Sequence, residues 1–274
     1  MSTHGQDSFV VEFVGLPGAG KSTLSHAVAE LLRSRGIPVT EPTWELTRGS
    51  SWLRKRVIKM GYASAIALGH PVWTLAALRR VRATRQQSLE DLLATAFNLL
   101  FVCGLLARVS KRRGIHLMDQ GFFHALWSID FSARAPARLV DLRVRSLRGG
   151  LLTRADLVVT LEVPSETAVD RMAARVGTQS RLEVLIPRPD FAVHLESALA
   201  ALERTRERLR DLQARGLPLA VEQLVDDGRG SLEEQARRTA ELILRARERS
   251  LAPRGDGLAA LGNAPGGARR EVLS

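Results

Sequence analysis

Cysteine, lysine, metal-ligand clusters and internal repeats are all scarce in this chain, and each scarcity narrows its class. A single cysteine, Cys103, among 274 residues excludes an intramolecular disulfide and fits a reducing compartment. Cys103 lies in an apolar stretch and reads as inert packing. His4, His26, His70, His116 and His194 show no ligand spacing, and no zinc or iron site is visible. Nothing repeats at solenoid periods. The opening residues lack a basic segment followed by an apolar run, so no signal peptide is expected, and a cytoplasmic location follows by default.

What is present is ordinary for a soluble globular protein: 45% apolar and 25% charged residues. The charge is lopsided. Forty Lys+Arg stand against 29 Asp+Glu, a net +11, and only Lys21, Lys55, Lys59 and Lys111 are lysines. Such a balance suits anionic partners: phosphates, nucleic acid or an acidic membrane face. A coding bias toward arginine would look the same. No recognised nucleic-acid motif accompanies the charge, so nucleic acid is not favoured as a partner.

Strand and helix patterns alternate. Phe9 to Val14 is an apolar run that predicts a buried strand, and Lys21 to Arg35 follows with Leu24, Val28, Leu31 and Leu32 on one face. Ile37 to Thr40 predicts a second strand, Ile115 to Met118 a third, Asp156 to Val163 a fourth and Leu217 to Leu224 a fifth. Residues 48–113 read as mostly helical. Further helices are expected at Ala137 to Arg148, from Ser165, at Ala192 to Arg215 and from Ser231 to about Arg249. The last is opened by a capping-box pattern, Ser231-Leu-Glu-Glu234. The alternation predicts an α/β fold with a five-stranded parallel sheet and helices on both faces. One domain over 1–250 is expected, followed by a Gly/Pro/Ala/Arg-rich tail, 251–274, that reads as disordered.

The most specific feature is GLPGAGKST at 15–23, a full match to GxxxxGK(S/T) between an apolar strand and a periodic helix. Glycines let backbone wrap closely around phosphate, and the loop N–H groups and helix N-terminus then face the anion. Gly15, Pro17, Gly18, Ala19, Gly20, Lys21, Ser22 and Thr23 are therefore expected to bind a nucleotide. Lys21 would sit on the β- and γ-phosphates and the Ser22 hydroxyl on Mg²⁺. This gives the fold class as the P-loop nucleoside triphosphate hydrolase fold, with ATP and Mg²⁺ as cofactors and GTP left open.

Around this loop the chain resembles the thymidylate kinase-like group of P-loop kinases, which includes the deoxynucleoside kinases. Glu41-Pro42-Thr43-Trp44 looks like the family's Glu-Pro turn, and Met118-Asp119-Gln120-Gly121 like its Asp-Arg motif, with Gln120 in place of the arginine. Leu161 to Arg175 looks like the strand-Pro-helix passage before the lid, and Ser180-Arg181-Leu182-Glu183 like the lid's Arg-x-Glu pattern. The run LLATAFNLLFVCGLLA shows none of the polar residues with which the family reads a thymine base. The resemblance implies transfer of a phosphoryl group from ATP to a small acceptor, foremost a nucleoside or nucleoside monophosphate. It implies Asp119 as a Mg²⁺ ligand or proton acceptor and Glu41 as the group that binds or deprotonates the acceptor. It also implies Arg175 and Arg181, in a lid at about 171–190, as catalytic arginines, with Arg171 assisting nucleotide binding.

Each assignment has a plainer counterpart. Asp119 could be a turn residue before Gly121, Glu41 a solvated loop residue, and the arginines a solvated basic face. Phe122, Phe123, His124 and Trp127 either line an acceptor pocket or pack in the core. Within the acceptor-side helical region, about 48–113, residues 60–78 and 92–107 carry no charge, and Lys/Arg clusters flank the first run. Two buried helices are the preferred reading. Peripheral membrane contact through 52–110 is the other. Whether the chain forms a homodimer stays open. The alternatives to a nucleoside kinase are a P-loop ATPase or switch acting on a protein or membrane partner, and a kinase of a non-nucleotide or apolar acceptor.

Overall fold

The computed structural model describes residues 8–47, 51–135, 155–175, 180–215, 219–226 and 230–251. The helix expected at 137–148 and the tail beyond 251 lie outside the described residues. Five strands form one all-parallel sheet: β1 (Ser8–Val14), β2 (Val39–Thr40), β3 (Gly114–Met118), β4 (Leu157–Glu162) and β5 (Ala220–Val225), in the order β2-β3-β1-β4-β5. Central β1 pairs with β3 from Ser8↔Gly114 to Glu12↔Met118 and with β4 from Val11↔Leu157 to Val14↔Thr160. β2 is shorter than its sequence suggests. Pro38 has no N–H to give a ladder, and its carbonyl instead accepts from Ile115 N at 3.0 Å.

Alternation along β1 assigns the two faces of the sheet. Phe9, Val11 and Phe13 pack with Leu24, Val28 and Leu32 of α1 (Lys21–Ser34) and Ala240 and Ile243 of α9 (Leu232–Leu251). Val10 and Val14 pack in the opposite core with α5 (Leu89–Val109), α6 (Phe122–Phe131) and α8 (Phe191–Ala214). These are the five parallel strands and two helical layers of the P-loop nucleoside triphosphate hydrolase fold. The capping pattern at Ser231 is also present, with Glu234 N donating to Ser231 Oγ at 3.2 Å.

The Glu-Pro segment becomes a short helix, α2 (Pro42–Thr47). The long helical region resolves into α3 (Trp52–Gly69), α4 (Pro71–Ala83) and α5. Pro71 at the first turn of α4 lacks the N–H to continue α3, so the chain breaks at His70. Ser88 caps α5, accepting from Asp91 N at 3.0 Å. α5 is the one helix among the described residues long and apolar enough to cross a bilayer. Its Leu99, Val102, Cys103, Leu105 and Leu106 are nevertheless buried in the core, and α3 and α4 pack on it. The run 92–107 is thus largely a core helix. The run 60–78 is buried on one side only.

Candidate functional site

The loop leaves β1 at Gly15 and enters α1 at Lys21, at the carboxyl edge of the sheet where α/β folds gather ligands. Gly18 and Gly20 hold φ of 82° and 85°, values that favour glycine. A Cβ on Gly18 would collide with the Ala168 carbonyl, so the loop rests directly on α7 (Ser165–Ala173). Lys21 Nζ donates to the Gly15 and Leu16 carbonyls at 2.8 and 2.7 Å, folding back across the loop. Burial lowers its pKa to about 8, against the opposing pull of the Asp119 charge; the Arg175 charge lowers it further.

Asp119 follows β3 and meets the loop. Ser22 Oγ donates to its Oδ2 at 2.6 Å, and the Thr43 hydroxyl of α2 donates to its other oxygen. Hard oxygen atoms from three elements thus converge beside the phosphate loop, a donor set that fits Mg²⁺. Among the described residues no group of three or more His, Cys, Asp or Glu side chains is placed to hold a metal by itself.

A cavity of about 300 Å³ opens over the loop. It is lined by Pro17, Gly18, Gly20, Lys21, Ser22 and Thr23 of the loop and α1, by Ala94 and Asn98 of α5, by His124, Trp127 and Ser128 of α6, and by Asp119, Gln120, Arg175 and Arg181. Gly15 serves the site through its carbonyl, and Ala19 is buried under the loop. Of the lid residues, 176–179 lie outside the described residues. Arg175 Nη1 donates to buried Glu183 at 2.9 Å, and the Ser180 N–H donates to the same carboxylate. Arg181 pairs with Asp91 at the start of α5 and reaches Ser132 Oγ at 3.5 Å. Arg171 does not line the cavity. It pairs with Asp226 at 3.1 Å, its guanidinium close behind Gly20.

The structure does not bring Glu41 into this cavity. Its side chain is buried, with Oε2 3.1 Å from both His26 Nδ1 and Arg33 Nη2 of α1. Two partners on α1 draw the carboxylate toward that helix and away from Asp119. The four residues after Gly121 divide. Phe122 and Phe123 enter the core, whereas His124 and Trp127 stack on each other at 5.3 Å and line the cavity. Burial, helped by the Lys21 charge, lowers the His124 pKa to about 3, so its imidazole is neutral. Cys103 is fully buried, and burial pushes its thiol pKa up.

Ala94, Ser128, Asn98 and Glu12 escaped the sequence reading, and the last two matter most. Asn98 is a polar residue within the run LLATAFNLLFVCGLLA, and it places an amide at the cavity. That run therefore does supply a polar group to the site. Glu12 is a carboxylate in the middle of β1, with 0% exposure. It lies under the N-terminus of α6 and accepts from His124 N at 3.0 Å; the Phe122 and Phe123 amides also face it. Burial raises its pKa to about 8 against these amides. A side chain at Gly121 would fall on the Glu12 carboxylate, so glycine there permits the contact. The lone charge within VVEFV was the available signal.

No family model matches the chain, and no curated protein matches it. Among solved structures, the chain is similar to a shikimate kinase from Acinetobacter baumannii in complex with shikimate. The similarity covers 88% of this chain and 95% of that one, at 18% sequence identity and a TM-score of 0.39.

Proposed function

We propose that the protein transfers the γ-phosphoryl group of ATP to a small acceptor, and that the acceptor is a nucleoside or nucleoside monophosphate. The observation that carries this reading is one cavity lined both by Lys21 and the loop and by Asn98, His124, Trp127 and Ser128. At about 300 Å³ it is at the small end of ligand pockets. An amide, which both donates and accepts, in one cavity with the half-buried His124 ring suits a base edge and its ring; Trp127 lies behind, stacked between His124 and Phe131.

The loop amides and Lys21 hold the donor phosphates. Ser22 and Asp119 are the residues that would hold Mg²⁺, which neutralises charge on the β- and γ-oxygens when bound. The acceptor oxygen bonds to the γ-phosphorus as the bond to the β,γ-bridging oxygen breaks and ADP leaves. The acceptor proton passes to an oxygen of the transferred phosphoryl group, since Asp119 would hold the cation and Glu41 is paired elsewhere. Arg175 and Arg181 stabilise charge spread over the equatorial oxygens and exclude water.

The test is ADP formation from Mg-ATP against nucleosides, nucleoside monophosphates, sugars, aminoglycosides and a blank, with Lys21→Ala as control. Turnover confined to nucleosides or their monophosphates is expected. Turnover confined to another class moves the acceptor and keeps the reaction. Equal ADP in the blank, lost in Lys21→Ala, replaces the kinase with an ATPase.

A further inference from the structure

α3 and α4 show solvent a face that the transfer reaction does not use. On α3, Leu53, Val57, Met60 and Leu68 fall on one helical stripe and are 58–82% exposed. Leu68 and Val72, at 82% and 83%, flank the Gly69-His70-Pro71 turn between the two helices. The opposite sides are seated: Ala63 and Ile66 of α3 and Ala77 and Val81 of α4 are buried. The stripe is therefore the unpartnered side of a firmly packed helix pair. Trp52 opens α3 at 65% exposure, with the Arg56 guanidinium 4.2 Å above its ring.

The charge on this face has one sign. Residues 46–89 contain no aspartate or glutamate. α3 carries four cations between Arg54 and Lys59, of which Arg54 and Arg56 are exposed while Lys59 turns inward over the Phe101 ring, and α4 carries three between Arg79 and Arg82, of which Arg79 and Arg82 are exposed. None of the seven is in an ion pair among the described residues. Elsewhere the arginines are commonly paired, as in Arg206–Glu203, Arg215–Asp211 and Arg237–Glu233.

We propose that this face docks on an anionic lipid bilayer, with the apolar stripe entering the headgroup region and the cations meeting lipid phosphates. Charge decides the occupant. A second copy joined through the same patch about a two-fold axis would set cations against cations. Nucleic acid would match the charge and leave the apolar stripe unused. A bilayer surface meets both features at once. α5, on which both helices pack, carries exposed Leu93 and Phe97, next in sequence to cavity-lining Ala94 and Asn98. The docking does not depend on which acceptor is used.

The test is flotation of the full chain with phosphatidylcholine vesicles, with and without phosphatidylglycerol, at low and high salt. Binding to the anionic vesicles alone, weakened by salt, is expected. Arg79→Gln with Arg82→Gln should lower the partition coefficient roughly 25-fold, at about fivefold per cation. Leu68→Asp with Val72→Asp should lower it by at least about tenfold. Thermal melting of both variants should match the parent, since Arg79, Arg82, Leu68 and Val72 are exposed. No binding, or equal binding to neutral vesicles, overturns the proposal. So does a dimer in light scattering that Leu68→Asp with Val72→Asp converts to monomer, because the face would then join two copies. The readout needs no nucleotide, so its failure and that of the kinase reading are separable.

Discussion

The Ser22 hydroxyl donates to Asp119 Oδ2 at 2.6 Å, joining residues 97 apart in the chain. The Thr43 hydroxyl holds the other carboxylate oxygen, so the carboxylate is fixed at both ends, between α1 and α2. Asp119→Asn keeps the shape and removes the charge. Turnover should fall about a hundredfold or more, while ATP affinity shifts only a few-fold. Steady-state kinetics with a separate nucleotide titration checks this. A variant altered only in melting temperature would make Asp119 a turn residue.

The folded-back Lys21 side chain makes nucleotide binding pH-dependent. Without nucleotide its pKa is lowered to about 8, by burial first. ATP phosphates favour the charged form, so binding takes up a proton wherever the lysine is partly neutral. The affinity for ATP should then weaken above about pH 8, by up to about tenfold per pH unit. Calorimetric titration across that range reads it directly. Lys21→Met should bind ATP weakly with little of this slope, and an equal slope in the variant would assign the effect to another group.

Glu12 should leave its mark on stability. Its pKa is raised from 4.5 to about 8 in the fold, so between those values the native state holds a proton that the unfolded chain has released. Its contribution is full below pH about 4.5 and is lost as pH rises toward about 8. Glu12→Gln imitates the protonated carboxyl. The variant should therefore gain melting temperature relative to the parent as pH rises through this window. Glu12→Ala should instead lose about 1–3 kcal/mol below about pH 4.5, because buried N–H groups at the start of α6 lose their acceptor, and that deficit should shrink as pH rises toward about 8. Parallel melting curves for parent and Glu12→Gln across the window would refute the assignment.

These residues differ in how far the sequence disclosed them. Gly15 to Thr23 were legible because strand, loop and helix are consecutive, and each local signal agrees with the next. Asp119 was legible because an apolar strand delivers it to the carboxyl edge of the sheet. Glu41 was not, since His26 and Arg33 lie on the preceding helix and only the packing of α1 shows that they face it. Asn98 was lost among apolar neighbours, where the run as a whole reads as core. The charge-free runs were read together, yet 92–107 is mainly core while 60–78 is one-sided. Helical periodicity separates them only once the buried side is known, as Ala63 and Ile66 against Leu68 illustrate. The sheet itself was legible from alternation, with β2 the exception because Pro38 shortens it.

Gly18 gives a steric test of the loop. At φ 82° an alanine carries the left-handed backbone penalty of about 1–2 kcal/mol, and its methyl would also meet the Ala168 carbonyl. Gly18→Ala should destabilise the fold by more than that penalty alone and weaken ATP binding, read by denaturant melts and nucleotide titration. Gly20→Ala carries a similar backbone penalty, but its Cβ would come no closer than 3.9 Å to Arg171 Nη1. It should cost less. Equal losses in the two would mean that contact with α7 does not hold the loop.

Arg175 is held at the cavity by Glu183, and this pair separates positioning from catalysis. Glu183 is 3% exposed and accepts from both Arg175 Nη1 and the Ser180 N–H. A buried carboxylate with two donors fixes the guanidinium at low entropic cost, and of the pair Arg175 lines the cavity and Glu183 does not. Arg175→Met should lower kcat about a hundredfold, with little change in the acceptor KM, if the charge acts chiefly in the transition state. Glu183→Gln keeps a weaker acceptor for both donors and should lower kcat about tenfold. The double variant should be no slower than Arg175→Met, because Glu183 acts on the reaction through Arg175. Fully additive losses would mean that Glu183 has its own contact with the reacting groups. A Glu183→Gln enzyme as fast as the parent would remove the pair from the mechanism.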